Sequence, residues 1–156
     1  MFLDLKQLFD LVGSSKEIND TFDFSKCSLF QENPFQSPIQ VSGKVFNQAG
    51  VVYLQMQVLG KMHLICDRCL DAFIYPLELH IEHLLTKKPL ETYDDFILIE
   101  NNRLDLEELV LSDIQLSLPT KILCREDCKG LCQICGANLN QTSCSCNEES
   151  QMKEVL

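Results

Sequence analysis

The sequence predicts an α+β fold with a cysteine-rich C-terminal segment, and three features carry that expectation. Apolar and polar residues alternate with a period of two between Ile39 and Leu85. The period becomes helical over residues 105–118, and from Cys124 to Cys146 cysteine replaces apolar periodicity altogether. The architecture expected is an antiparallel sheet meander, a covering helix and a metal-binding segment stapled on by thiolates.

The first 36 residues pattern poorly. Leu5, Leu8, Phe9 and Val12 have helical spacing closed by Gly13, and Thr21–Phe24 alternates like a short strand. Asn33-Pro34 and Ser37-Pro38 mark turns. The first clear strand places Ile39, Val41, Gly43 and Val45 on one face. Asn47-Gln48-Ala49-Gly50 supplies a turn, in which Gly50 can adopt the positive φ of a tight hairpin. The returning strand carries Val52, Leu54, Met56, Val58, Met62 and Leu64 on its apolar face, with Tyr53, Gln55, Gln57, Lys61 and His63 opposite. Gly60 falls on the apolar face and suggests a bend or bulge. Phe73, Tyr75, Leu77, Leu79 and Ile81 form the apolar side of a third strand, so Cys66 and Cys69 occupy the hairpin tip. A short strand is expected over Asp95–Ile99. A helix then starts at Asp105, whose spacing to Glu108 is that of a capping box, and ends at Pro119. The organisation expected is an N-terminal extension over 1–36 packing on the domain, a sheet-plus-helix core over 37–123, a zinc segment over 124–146 and a flexible acidic tail over 147–156.

The chain has 156 residues, 46% of them hydrophobic, enough for one ordinary core. No run approaches the roughly 20 consecutive apolar residues of a membrane helix, and the N-terminus has no secretory pattern. A cytoplasmic protein is expected. The net charge of −10 excludes a general nucleic-acid binder, which neutralises phosphates with Lys and Arg. Eight acids face one base, Arg103, between Glu91 and Asp113. That run is either a solvated face or a docking surface for a basic partner, with Asp94, Asp95, Glu107 and Glu108 as its candidate contacts.

Nine cysteines in a reducing compartment point to metal or redox chemistry. Cys27 stands apart and reads as a small buried apolar residue. The other eight run Cys66-x2-Cys69, then Cys124, Cys128, Cys132, Cys135, Cys144 and Cys146, enough for two zinc ions with four thiolates each. The segment Leu131–Cys146 has no core of its own, so metal is the evident source of its folding free energy. The simplest pairing joins Cys66 and Cys69 to Cys124 and Cys128, and closes Cys132, Cys135, Cys144 and Cys146 locally. Crossed pairings, or one occupied site, satisfy the same spacing. Thiol redox or metal handling is the alternative function. It is disfavoured because Cys66–Cys69 lies between strands, not at a helix N-terminus in a βαβ unit. A zinc hydrolase would keep an open position, usually with His or carboxylate ligands. Here His80 and His83 alternate onto opposite faces of one strand, and His63 lies on a polar face. No catalytic residue and no small-molecule substrate is expected.

Lys61, Arg68, Lys121, Arg125 and Lys129 all lie within five residues of a cysteine of the first expected site. They either offset thiolate charge or form a compact RNA-phosphate contact.

Val41-Ser42-Gly43-Lys44-Val45, Cys66-Asp67-Arg68-Cys69-Leu70 with Phe73 and Pro76-Leu77, and Leu118-Pro119 to Cys124 together resemble the YceD family. Cys128-Lys129-Gly130-Leu131-Cys132, Cys135-Gly136-Ala137-Asn138-Leu139-Asn140 and Cys144-Ser145-Cys146 look like that family's C-terminal cysteine motif. The resemblance covers roughly residues 38–146. It implies a bacterial or plastid factor in the synthesis, processing or stability of 23S rRNA, with no established catalytic residues. The expected function is therefore a non-enzymatic adaptor in ribosome assembly, with a basic ribosomal or rRNA-processing protein and large-subunit rRNA as partners.

Overall fold

The computed structural model describes residues 2–27 and 33–144. Cys146 and the tail expected over 147–156 lie outside the described residues. The elements are β1 (Phe2–Asp4), α1 (Lys6–Asp10), β2 (Ser15–Phe22), β3 (Ile39–Gln48), β4 (Val51–Ile65), β5 (Ala72–Thr86), β6 (Ile97–Leu98), β7 (Arg103–Asp105) and α2 (Leu106–Ser117). The chain divides into two compact units. One holds the described residues of Met1–Met62 and Pro76–Leu118, the other those of His63–Tyr75 and Pro119–Leu156. The fold is α+β, as the patterning implies. Among the described residues no helix is long and apolar enough to cross a membrane.

The main sheet has five strands in the order β2-β3-β4-β5-β6. Its core face is the one the alternation marks: Val41 and Val45 on β3, and Val52, Leu54, Met56, Val58 and Met62 on β4, are all buried. The β3–β4 hairpin turns through Ala49 and Gly50, at φ of 55° and 87°, the pair of positive values a two-residue primed turn requires. The apolar-face glycine of β4 has a packing role. A Cβ at Gly60 would overlap Cδ1 of fully buried Ile39, so glycine is what lets Ile39 fill that part of the core.

Two expectations are corrected by the topology. The sheet is mixed, not a purely antiparallel meander, because β6 runs parallel to the end of β5 through Leu85↔Ile97 and Thr86↔Leu98. The 87–96 loop carries the chain back alongside β5, and a two-residue strand is too short to announce its direction in sequence. β6 pairs with β5 only there. Among the described residues most of the far side of β5 is thus without a ladder partner, and an edge of this kind tolerates Pro76 and its missing N–H. The first 36 residues also contribute more than a helix and a short strand. β2 pairs along its whole length with β3, from Ser15↔Phe46 to Phe22↔Ile39. β1 pairs with β7, about one hundred positions away in sequence. Asn101 and Asn102, at φ of 55° and 57°, turn the chain from β6 into β7.

Asn47 secures the N-terminal region. It is buried, yet every polar group that holds it has a partner. Its Nδ2 donates to the Leu8 carbonyl at 2.7 Å, and its Oδ1 accepts from the Gly50 amide at 3.0 Å. Its backbone accepts from Gly13 and donates to Ser14. A buried amide satisfied in this way fixes a single arrangement of α1 against the hairpin.

Helix α2 is capped by Asp105, whose carboxylate accepts from the Glu108 amide, and acids occupy its first turn. Leu106, Val110 and Ile114 form its buried stripe. Leu118 turns extended before Pro119, ending the helix. Asp113, the polar interruption of that stripe, accepts a 2.8 Å hydrogen bond from His83 Nε2 of β5 in the protonated pair. The Asp113 carboxylate raises the His83 pKa above its ordinary 6.5, against partial burial.

Because the folded pKa of His83 exceeds the unfolded value, the pair stabilises fully below about pH 6.5 and loses its contribution as pH rises through the folded value. Asp113→Asn should cost about 1–2 kcal/mol at pH 6 and flatten the pH dependence of denaturant midpoints between pH 6 and 8. Gly60→Ala should cost about 1–3 kcal/mol by overpacking at Ile39, read in the same unfolding curves.

Candidate metal centre

The unit formed by His63–Tyr75 and Pro119–Leu156 is organised around cysteine, not around an apolar stripe. Cys66, Cys69 and Cys128 make up its buried cluster, with Phe73, Leu123 and Cys124 packed against it. Cys66 and Cys69 are carried on the turn between β4 and β5, and Cys124 and Cys128 on the segment after Pro119.

All four of these sulfurs lie within 4.8 Å of one another. Cys66 Sγ is 3.7 Å from Cys128 Sγ, and Cys69 Sγ is 3.7 Å from Cys124 Sγ. These distances are far too long for disulfides, and the cysteines are free. They agree with a tetrathiolate tetrahedron, whose sulfur–sulfur edge is about 3.8 Å for metal–sulfur bonds of about 2.3 Å. A second group joins Cys132, Cys135 and Cys144 within the same limit. Both clusters can hold a metal ion. They are the groupings of the simplest pairing, with Cys146 of the second outside the described residues.

The two C-x2-C turns are built alike. In the first, the Cys66 amide donates to the Asp71 carbonyl at 2.9 Å and the Leu70 amide to the Cys66 carbonyl at 3.0 Å. In the second, Cys132 donates to Ala137 at 2.8 Å and Gly136 to Cys132 at 2.9 Å. Each turn needs a left-handed residue after its second cysteine: Gly136 at φ 75° and Leu70 at φ 61°. The glycine meets this without strain, whereas leucine there costs about 1–2 kcal/mol.

Side chains absent from the sequence-based candidates hold the two turns in place. The Asp67 amide donates to the Ile122 carbonyl and its carboxylate accepts from the Ile122 amide, both at 2.7 Å. Asn138 Nδ2 donates to Asp71 Oδ2 at 2.6 Å. Asn140 Nδ2 donates to Cys128 Sγ at 3.2 Å, while its Oδ1 accepts from the Lys129 amide at 2.8 Å. Such outer contacts orient sulfur ligands and support their negative charge. The available signal was polar residues recurring in a segment without apolar periodicity.

The electrostatics divide the thiols. Burial opposes ionisation at Cys66, but the backbone amides of Cys69, Cys124 and Arg68 bring it down to about 6. The amides of Cys135 and Ile134, with the Cys144 thiol, bring Cys132 to about 6. The Asn140 amide holds Cys128 below its ordinary value. Burial and then the neighbouring thiols push Cys124 up to about 12. At Cys69 the Asp71 amide favours the thiolate, and burial with neighbouring thiols outweighs it. Four sulfurs this close cannot all ionise alone, and a cation among them removes the conflict.

Of the basic residues, Arg68 Nη1 donates to the Cys128 carbonyl at 3.0 Å, so it supports the turn from outside. Arg125 lies 3.5 Å from Asp127, and Lys121 and Lys129 are exposed. Lys61 belongs to the sheet unit. Among the acidic candidates, Asp94 and Asp95 are exposed in the 87–96 loop, and Glu107 and Glu108 in the first turn of α2. Cys27 is half-buried and takes part in neither cluster.

A family model described as large ribosomal RNA subunit accumulation protein YceD matches residues 54–155. The chain is 24% identical over 124 residues to the uncharacterized protein YlbN of Bacillus subtilis, covering 78% of this chain and 72% of that one. It is 24% identical to the chloroplastic large ribosomal RNA subunit accumulation protein YCED homolog 1 of Arabidopsis thaliana, over 79% of this chain and 48% of the relative. The corresponding Zea mays protein is 26% identical, over 71% of this chain and 49% of the relative. The chain thus spans about half the length of the plant relatives. No solved structure matches it.

Cys124→Ser should open the first cluster and destabilise its unit by at least about 3 kcal/mol, given the scale of metal-coupled folding. Cys27→Ser should change stability by less than about 1 kcal/mol. Thermal unfolding of both variants, with and without chelator, checks the contrast.

Proposed function

The chain belongs to the YceD family of large ribosomal RNA subunit accumulation proteins, and on that premise we propose that it is a non-enzymatic factor supporting the synthesis, processing or stability of large-subunit rRNA. The observation that carries the mechanism is the four-sulfur cluster of Cys66, Cys69, Cys124 and Cys128, with 3.7 Å edges suited to zinc. We assign two zinc ions per chain. The second is held by Cys132, Cys135, Cys144 and Cys146, which makes 124–146 a zinc segment. Closed four-thiolate sites leave no position for a substrate, so the metal's contribution is structural. The alternative redox reading has less support, because among the described residues every thiol except Cys27 has a place in one of two compact clusters.

In this reading the protein is an adaptor working in the cytoplasm, where ribosomes are assembled. The acidic stretch containing Asp94, Asp95, Glu107 and Glu108 binds a basic ribosomal or rRNA-processing protein by charge complementarity. The basic residues Lys61, Arg68, Lys121, Arg125 and Lys129 approach rRNA. Eight thiolates and two divalent ions add −4 to the net −10, which confines any RNA contact to local patches.

Glu107→Lys with Glu108→Lys should weaken copurification with basic large-subunit proteins roughly tenfold, as rim charges typically act on association. Loss of the protein should lower large-subunit rRNA relative to small-subunit rRNA. An unchanged partner profile would remove the adaptor role, and an unchanged rRNA ratio would remove the proposed function.

A further inference from the structure

The sheet unit has a groove of about 810 Å³ between the β3–β4 turn, the end of β5 and the 87–96 loop. Phe9, Tyr53 and Tyr93 line it together with Lys87 and Lys88. Tyr93 is 63% exposed, a large aromatic ring held in solvent beside an open groove. Lys87 Nζ sits 4.8 Å from the centre of the Phe9 ring. Thr86 holds the Lys88 backbone: its hydroxyl donates to the Lys88 carbonyl at 2.8 Å and accepts from the Lys88 amide at 3.3 Å. Next to the groove, on the face of the sheet opposite Val45 and Val52, Tyr53 meets Phe46 at 5.5 Å between ring centres. Lys44 lies 4.9 Å over Phe46. The groove and the adjoining sheet face of this unit thus bring together four aromatic rings and three lysines in a chain with a strong negative net charge.

We propose that this groove binds single-stranded RNA, with bases stacked on Tyr53 and Tyr93 and phosphates drawn to Lys87 and Lys88. The inference rests on the reading above that the protein acts on rRNA, but it assigns the contact to the groove residues in place of the cysteine-flanking basic residues. Alternating rings and cations are what unpaired nucleotides need. Every base offers a π face to an aromatic ring, and each phosphate needs a nearby cation. A duplex buries its base faces and cannot use such a groove. Asp10 and Asp95 also line it. Asp95 acts on His83, whose pKa it helps to raise. The two acids limit the groove to a short stretch of backbone and disfavour long-range, non-specific attraction.

The test uses the full chain and a short labelled single-stranded oligoribonucleotide at low salt, followed by anisotropy. Binding should also quench tyrosine emission, since the chain has no tryptophan and two of its three tyrosines line the groove. Tyr93→Ala should weaken binding about tenfold, the scale of one stacked base. Lys87→Ala with Lys88→Ala should weaken it and flatten its salt dependence. If these variants bind as the parent does while Arg125→Ala with Lys129→Ala loses binding, the groove is overturned and RNA contact moves to the cysteine-flanking patch. Equal competition by a mononucleotide or by duplex RNA overturns the single-strand assignment. No binding by the parent chain overturns both the groove and the RNA-contact part of the proposed function, leaving the protein-docking part to its own test.

Discussion

Closure of four sulfurs is the constraint on which the cysteine-bearing unit depends. Cys69 and Cys124 are separated by 54 residues, yet their sulfurs approach to 3.7 Å. Ordering two such distant segments costs loop-closure and backbone entropy. The unit has little apolar area to offset that cost, since its buried cluster consists of thiols with Phe73 and Leu123 at their edge. Bringing thiols together also raises an electrostatic problem, visible in the spread from about 6 at Cys66 to about 12 at Cys124. A cation bound there would resolve the entropic and electrostatic demands together, because it would repay closure and stabilise the thiolates it collects. The outer contacts of Asp67, Asp71, Asn138 and Asn140 then act as orienting struts.

The sheet unit is held by different means. Its core is apolar: the inner faces of β3 and β4 and the Leu106, Val110 and Ile114 stripe of α2 are all buried. Two polar devices set its geometry: Asn47 beneath α1, and His83 with Asp113 between β5 and α2. Asn47 is buried and the His83–Asp113 pair partly so, and polar groups withdrawn from water are costly if left alone and specify one arrangement when paired. The unit also carries on its surface an acidic helix start and an aromatic groove flanked by lysines, the two features the proposed role uses.

Much of this was legible in the sequence where the signal is local. The β3 and β4 faces, the positive φ at Gly50, the Asp105 cap and the stop at Pro119 each depend on residues within a few positions of one another. The cysteine grouping was legible because a dense set of free thiols has few uses and C-x2-C has a definite geometry. What stayed hidden is non-local. β1 is three residues long and meaningless without β7, and β6 is two residues whose parallel direction nothing nearby encodes. Gly60 suggested a bend because a missing side chain is visible in sequence, whereas the Ile39 side chain that takes its place is not. Asp113 read as an exception until His83 supplied its partner. The likeness of the two cysteine turns was obscured because one uses Gly136 and the other Leu70 for the same left-handed position.

Metal content of the reduced chain, measured by native mass spectrometry together with a free-thiol count, decides whether cations hold the sulfur clusters together. Two zinc ions per chain with only Cys27 reacting readily is the expected result. A metal-free, folded chain with all nine thiols reactive would contradict it and leave the sulfur clusters without the cation that explains their closeness.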